Sequence, residues 1–273
     1  MDRPFTHREF KLLLKADRFP TKRSVVEFNA NLAKIAADCK VPFNEFDSIN
    51  SQFRQIQFFD TEDQVFRRNR IILRVRRDQS GGWPDETWEL TLKCRSPDIA
   101  EAENFDVAST LGLREKRKFK EELLRDKDPG TMRCIYSNNN VMLSPQAQLA
   151  LPMAKIIELF PGLKALRLDS AQDVVPVNGA FVFEIESRLG TFIFGKNAVA
   201  EATIALWLRP IPDAFSPMIA EFGYAYHVLP NEKKKQHKAH DAADRFFKDL
   251  QKPLADWIAD ATTKTAFVYG TEE

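Results

Sequence analysis

"HREFKLLL", residues 7–14, alternates in character along its length. His7, Glu9 and Lys11 take the odd positions; Phe10, Leu12 and Leu14 take even ones. Successive side chains of a strand point to opposite faces. One face of this strand therefore carries charge of both signs and the other is apolar. The fold turns on which of the two looks inward.

The alternation recurs downstream. In "RIILRVR" (70–76), Arg70, Arg74 and Arg76 oppose Ile71, Leu73 and Val75. In "TWELTLKCR" (87–95), Glu89, Thr91, Lys93 and Arg95 oppose Trp88, Leu90, Leu92 and Cys94. "KALRLD" (164–169) sets Arg167 and Asp169 against Leu166 and Leu168, and "FEIESR" (183–188) sets Glu184, Glu186 and Arg188 against Phe183 and Ile185. For any one such strand, the ordinary explanation is a sheet with one wet face. Repetition favours another arrangement. Charged residues at i and i+2 put two tips on one side about 6.6–7 Å apart, and amphipathic helices are available to cover the apolar face. The predicted architecture is α+β: an antiparallel β-barrel of about eight strands, forming a tunnel, with helices packed outside. A charged bore is costly unless its charges match each other or a ligand. Opposed basic and acidic groups suit a polyanion together with a divalent cation.

The helices follow from spacing. Val25, Phe28, Leu32, Ile35 and Ala36 predict one within residues 21–41, with Thr21 or Ser24 as cap. Ala239, Ala243, Phe246, Phe247, Leu250, Leu254 and Trp257 predict a long C-terminal helix over 236–258, which Pro253 should bend or break. Residues 145–160 read as helical, with Pro152 at a start or kink. Residues 114–124 fit a strand, although their charges also permit a helix. The run Asn138–Asn140 reads as a turn. One domain is expected over 1–262, with 263–273 as a loose tail.

Composition excludes several classes. The chain has 273 residues, is 44% hydrophobic and carries a formal net charge of +1. Near-neutrality argues against nucleic acid as a partner. Cys39, Cys94 and Cys134 form no CxxC pair, so neither a zinc site nor a disulfide framework is indicated, and a reducing, cytoplasmic setting is expected. The N-terminus lacks the apolar region of a signal peptide, and no run of about 18 apolar residues suggests a membrane span. There is no Walker loop, GxGxxG or GxSxG. His237 and His240 read as a solvated helix start, the run 233–235 as a wet lysine loop, and the many Phe residues as core.

"REFKLLL", "FFDTEDQVFRRNRIILRVRR" and "ELTLKCR" together resemble the CYTH domain of the triphosphate tunnel metalloenzymes. Glu9 and Lys11 match the end of that family's opening E-x-E-x-K. "FFDT" (58–61) matches its strand end, Arg74 and Arg76 its R-x-R, Thr91 and Lys93 its T-x-K. The resemblance covers residues 7–95. It implies an eight-stranded tunnel, a small-molecule triphosphate or polyphosphate substrate, Mg²⁺ or Mn²⁺ as cofactor, and hydrolysis of inorganic or organic triphosphate. Glu9, Lys11 and Lys93 would be catalytic. Arg74, Arg76, Lys93 and Arg167 would grip phosphate, with Lys11 beside them. Glu9, Glu184, Glu186 and Glu201 would hold metal. Two registers stay open for the second half: Arg167, Glu186 and Glu201 in sequence, or Glu184 and Glu186 as an E-x-E pair after Asp169 or Asp173. His7 replaces the family's first Glu, and Thr203 stands at the second site of the "EAT" alternative. These departures keep a non-catalytic polyphosphate or nucleotide binder as an alternative, alongside a nucleotidyl cyclase or phosphate polymerase on the same scaffold. A plain protein-interaction domain would instead turn the charged strands to water.

Overall fold

The structure is a computed structural model and describes residues 6–145, 149–179, 181–211, 214–229, 233–260 and 263–270. Its main strands are β1 (His7–Leu14), β2 (Ser51–Asp60), β3 (Ile71–Ser80), β4 (Trp88–Ser96), β5 (Glu115–Arg125), β6 (Met132–Ser144), β7 (Val182–Gly195), β8 (Ala198–Ile211) and β9 (Ala214–His227). They pair in the order β1-β5-β6-β4-β3-β2-β7-β8-β9, and β9 returns to β1, so the sheet closes on itself. Only β1 and β5 run parallel; the other joins are antiparallel. The ring thus has one strand more than the expected eight.

The helices are α1 (Lys22–Asp38), α2 (Val65–Arg68), α3 (Ile99–Asn104), α4 (Met153–Leu159), α5 (Lys233–Asp249) and α6 (Lys264–Tyr269). The N-terminus of α1 is a capping box built from Thr21 and Ser24. Its Phe28 and Leu32, with Ala243, Phe246 and Phe247 of α5, cover Phe10, Leu12 and Leu14 of β1 in one apolar core. On the opposite flank, Leu73, Val75, Leu90 and Leu92 pack under Phe66, Met153, Ile156 and Phe160 in a second. Each fully buried Leu or Phe contributes roughly 1.5–3 kcal/mol. The apolar face of the strands therefore looks outward, beneath the helices, and the charged face looks into the ring. A third apolar group fills one end of the bore: Leu13, Ile56, Phe58, Trp207 and Ile219, with Val268 and Tyr269 of α6.

Several expectations give way. The run Asn138–Asn140 is no turn; it lies in the middle of β6. There the Asn138 and Asn140 amides donate to the Phe105 and Val107 carbonyls, at 3.0 and 2.9 Å, and tie down the loop outside the ring. Residues 164–169 form no strand. Pro161–Leu166 is a 3₁₀ turn and Arg167 follows it with φ 51°. The C-terminal helix stops at Asp249, and the residues around Pro253 continue as turns. The backbone of 233–235 opens α5 rather than forming a loop, and those side chains lie outside the described residues. The expected loose tail instead includes α6, because Ala266, Val268 and Tyr269 have an apolar end of the barrel to bury against. Residues 271–273 lie outside the described residues, as do 146–148 of the expected helix over 145–160; of the rest of that span only Met153–Leu159 (α4) is helical, with Pro152 at its start.

Candidate functional site

Strand parity decides what enters the bore. Glu9 and Lys11 (β1), Arg54 (β2), Arg74 and Arg76 (β3), Glu89, Lys93 and Arg95 (β4), Lys120 and Glu122 (β5), Glu184 and Glu186 (β7) and Glu221 (β9) meet there in two connected ion-pair groups and their surroundings.

The first group centres on Glu122, which is fully buried. Its carboxylate lies 3.2 Å from Lys11 Nζ, 2.6 Å from Lys93 Nζ and 2.8 Å from Arg95 Nη2. Ser137 Oγ donates to it at 2.6 Å. Glu9 lies 3.1 Å from both Lys11 and Lys120. Burial works against both carboxylates, and the surrounding cations more than offset it, so both are held far below the ordinary glutamate range. One carboxylate cannot satisfy three cations fully. Burial, opposed by Glu122 but reinforced by Arg95, Lys11 and Lys120, pushes Lys93 down to about 7. Gly223 lies opposite Lys11 in the ladder, where a Cβ would come within 2.9 Å of the Phe10 carbonyl. A side chain there would crowd this corner.

The second group centres on Arg54, only 8% exposed. Its Nη1 lies 3.0 Å from Glu184 Oε1 and 2.7 Å from Glu186 Oε1, and its Nε lies 3.1 Å from Asp78 Oδ1. The second oxygen of Glu184 accepts from Trp207 Nε1 at 2.7 Å and faces Lys264 Nζ at 3.4 Å. Lys264, from α6, also reaches Glu221 at 3.0 Å.

Between the groups lies unmatched positive charge. Arg74 forms no ion pair among the described residues, and its enclosed Nε has no hydrogen-bond partner. Burial, then the neighbouring Arg76, pushes its guanidinium down to about 10. Arg76 is partly neutralised by Glu89, to which its Nε donates at 2.7 Å. Lys118 of β5 also forms no ion pair among the described residues, and burial and then Lys120 lower it. A buried cation without a counter-charge is costly. An anion entering the bore would remove that cost.

The structure thus gathers Glu9, Lys11, Arg74, Arg76, Lys93, Glu184 and Glu186 around one bore. Arg167 is excluded, since the 3₁₀ turn leaves it exposed outside the ring. Asp169 and Asp173 are exposed there too. Glu201 sits at an exposed rim, paired with Arg188. His7 packs against His227 with ring centroids 4.2 Å apart and planes tilted by 49°, and is pushed down to about 4, chiefly by burial and then by His227, so it is neutral at pH 7. His237 is exposed and pairs with Asp241 within α5, as a solvated helix start would, whereas His240 turns inward and packs 5.8 Å from the Tyr226 ring. "FFDT" proves architectural: buried Asp60 accepts from the Thr61, Phe66 and Arg67 amides and the Tyr269 hydroxyl, joining β2, α2 and α6.

Glu122, Arg54, Lys118 and Lys120 have no place in the sequence reading of the site, and Arg95 has a place on the charged face there but no role. The alternation in 114–124 held the signal for three of them. Lys264 carried none, being in an expected tail.

The expected metal donors do not fit a divalent ion as they stand. Among the described residues no three acidic, histidine or cysteine side chains converge as a metal-binding set. Glu9, Glu184, Glu186 and Glu201 each face a protein cation instead.

No family model matches the sequence, and neither does any curated protein. Solved structures do match. A candidate adenylyl cyclase from Hippeastrum, described as having a dominant triphosphatase activity, aligns at TM-score 0.42 and 12% identity over 98% of this chain and 97% of its own. A candidate adenylate cyclase from Vibrio parahaemolyticus aligns at 0.39 and 12% over 97% and 99%. Another from Bacillus halodurans aligns at 0.35 and 10% over 97% of each chain. Among the described residues, no helix is long and apolar enough to cross a membrane.

Proposed function

We propose that the chain is a CYTH-type triphosphate tunnel protein that takes a triphosphate-bearing small molecule into its bore and promotes hydrolysis of the phosphate chain. The observation that carries this reading is Arg74: an enclosed guanidinium that forms no ion pair among the described residues, its Nε without a hydrogen-bond partner, flanked by Arg76. Lys93, held near neutrality by its surroundings, and Lys118 stand among the same inward-facing groups. Phosphate oxygens would complete these groups, Arg bidentately and Lys as point charges. The motif order from Glu9 to Lys93 supports the same ligand class.

In such a bore, catalysis is positioning and charge neutralisation. Water attacks a terminal phosphorus, the bridging P–O bond breaks, and fixed cations stabilise the charge spread over the phosphoryl oxygens. Lys11, Arg74, Arg76 and Lys93 are assigned to that stabilisation, and Glu9, anchored between Lys11 and Lys120, to orienting the cationic wall.

A second reading, capture without turnover, is favoured by one observation: every carboxylate proposed for metal binding is already ion-paired. Phosphate release from tripolyphosphate, ATP and thiamine triphosphate separates the two. Hydrolysis predicts release that falls at least about 100-fold in Arg74→Ala and Lys93→Ala. Capture alone predicts stabilisation by tripolyphosphate with release no higher than in those variants. A cyclic nucleotide or a lengthened polyphosphate would assign a different reaction to the same tunnel.

A further inference from the structure

We infer that Arg54 occupies the place a divalent cation would take among the tunnel carboxylates, so that the bore binds its phosphate chain without a metal. The inference rests on the tunnel-binding reading above, but Arg54 can be tested apart from it.

Register places Arg54 directly between its partners: Glu184 opposes it on β7 and Asp78 opposes it on β3. A single atom, Nη1, lies 3.0 Å from Glu184 Oε1 and 2.7 Å from Glu186 Oε1. Those two glutamates, two residues apart on one strand face, are the pair that would close on an ion. Nε binds Asp78 Oδ1 at 3.1 Å, and Nη2 binds Gln52 Oε1 at 2.9 Å. Glu184 has no vacant oxygen, since its Oε2 already serves Trp207 and Lys264. An incoming Mg²⁺ or Mn²⁺ would have to displace a guanidinium that is itself 8% exposed, leaving that cation buried without its partners. Arginine cannot deprotonate to escape this, and its planar fork matches carboxylates well. The cradle is therefore closed to an added cation, while Arg74 remains open to an anion.

The test uses the full chain. Mn²⁺ alone is titrated and bound ion is read by electron paramagnetic resonance; separately, tripolyphosphate binding is measured by calorimetry in excess EDTA and in Mn²⁺. The native protein should leave Mn²⁺ free in solution, and tripolyphosphate should bind in EDTA within about twofold of its affinity in Mn²⁺. Arg54→Ala should open the cradle and acquire a bound Mn²⁺ that also raises its melting temperature. Stoichiometric Mn²⁺ on the native protein would overturn the inference, as would tripolyphosphate binding more than about tenfold weaker in EDTA. The native measurements decide the matter even if Arg54→Ala does not fold. Absence of tripolyphosphate binding under both conditions would instead overturn the tunnel-binding reading, with the Mn²⁺ titration still ruling on Arg54.

Discussion

Arg74 and Lys93 look alike in the sequence, as inward positions of neighbouring strands, yet the structure treats them differently. Lys93 has Glu122, shared with Lys11 and Arg95. Arg74 forms no ion pair among the described residues, Glu184 and Glu89 acting on it only from a distance. A residue kept for ligand binding at the expense of the fold should show both effects when removed. Arg74→Met is expected to raise the stability of the ligand-free protein by on the order of 1 kcal/mol, read by urea denaturation, and to abolish the melting shift given by tripolyphosphate. A destabilised variant that still binds would mean that Arg74 is structural. Lys93 gives a pH signature. Its folded value near 7 lies below the ordinary lysine value, so at pH 8 the free protein holds it largely neutral. A bound polyanion favours the ammonium form and would draw in a proton. Tripolyphosphate affinity should therefore weaken as pH rises above 7, and calorimetry at pH 8 in buffers of different ionisation enthalpy should show proton uptake that Lys93→Met removes. Equal heats in all buffers would contradict this. These residues were legible because alternation assigns a face. Whether a cation is paired depends on which strand lies beside it, and no local spacing carries that.

At the scale of elements, strands and outer helices followed from period, and the misreadings have a common origin. Asn138–Asn140 combines turn-forming residues, but its two outward positions are satisfied from outside, where the Asn138 and Asn140 amides hold a neighbouring loop. Local propensity gave way to tertiary hydrogen bonds. The "KALRLD" alternation failed for the converse reason: Phe160 and Leu163 bury into the outer core, and Pro161 begins a 3₁₀ turn in place of a strand. The C-terminal segment, six residues in α6, is too short to stand as a helix by itself. Its order comes from the barrel end it closes, where Val268 and Tyr269 join Leu13, Phe58 and Trp207. Tyr269→Ala should cost on the order of 3 kcal/mol in urea denaturation. Tyr269→Phe, which loses only the 3.1 Å bond to Asp60, should cost about 1 kcal/mol. Equal costs would show that the ring contributes nothing and that α6 is only loosely seated.

For the whole molecule, closure converts a wet sheet face into an enclosed one. A flat sheet would leave Glu9, Lys11, Arg76 and Glu186 in water, where their pairs would be worth little. Closing the ring through β1–β9 and β2–β7 puts them in one bore, where unmatched charge matters. The inward orientation was predicted from repetition over several strands; the ninth strand, the apolar plug and the filled carboxylate cradle were not, because each depends on pairing across the ring. The account's central claim is that the unmatched cations of that bore receive a phosphate chain. The most direct measurement is a crystal structure of the protein grown with saturating tripolyphosphate. The account predicts continuous density inside the ring, with phosphate oxygens at hydrogen-bond distance from Arg74, Arg76 and Lys93. Tripolyphosphate bound on the outer surface, with Arg74 and Lys93 arranged as they are here and no anion between them, would contradict it.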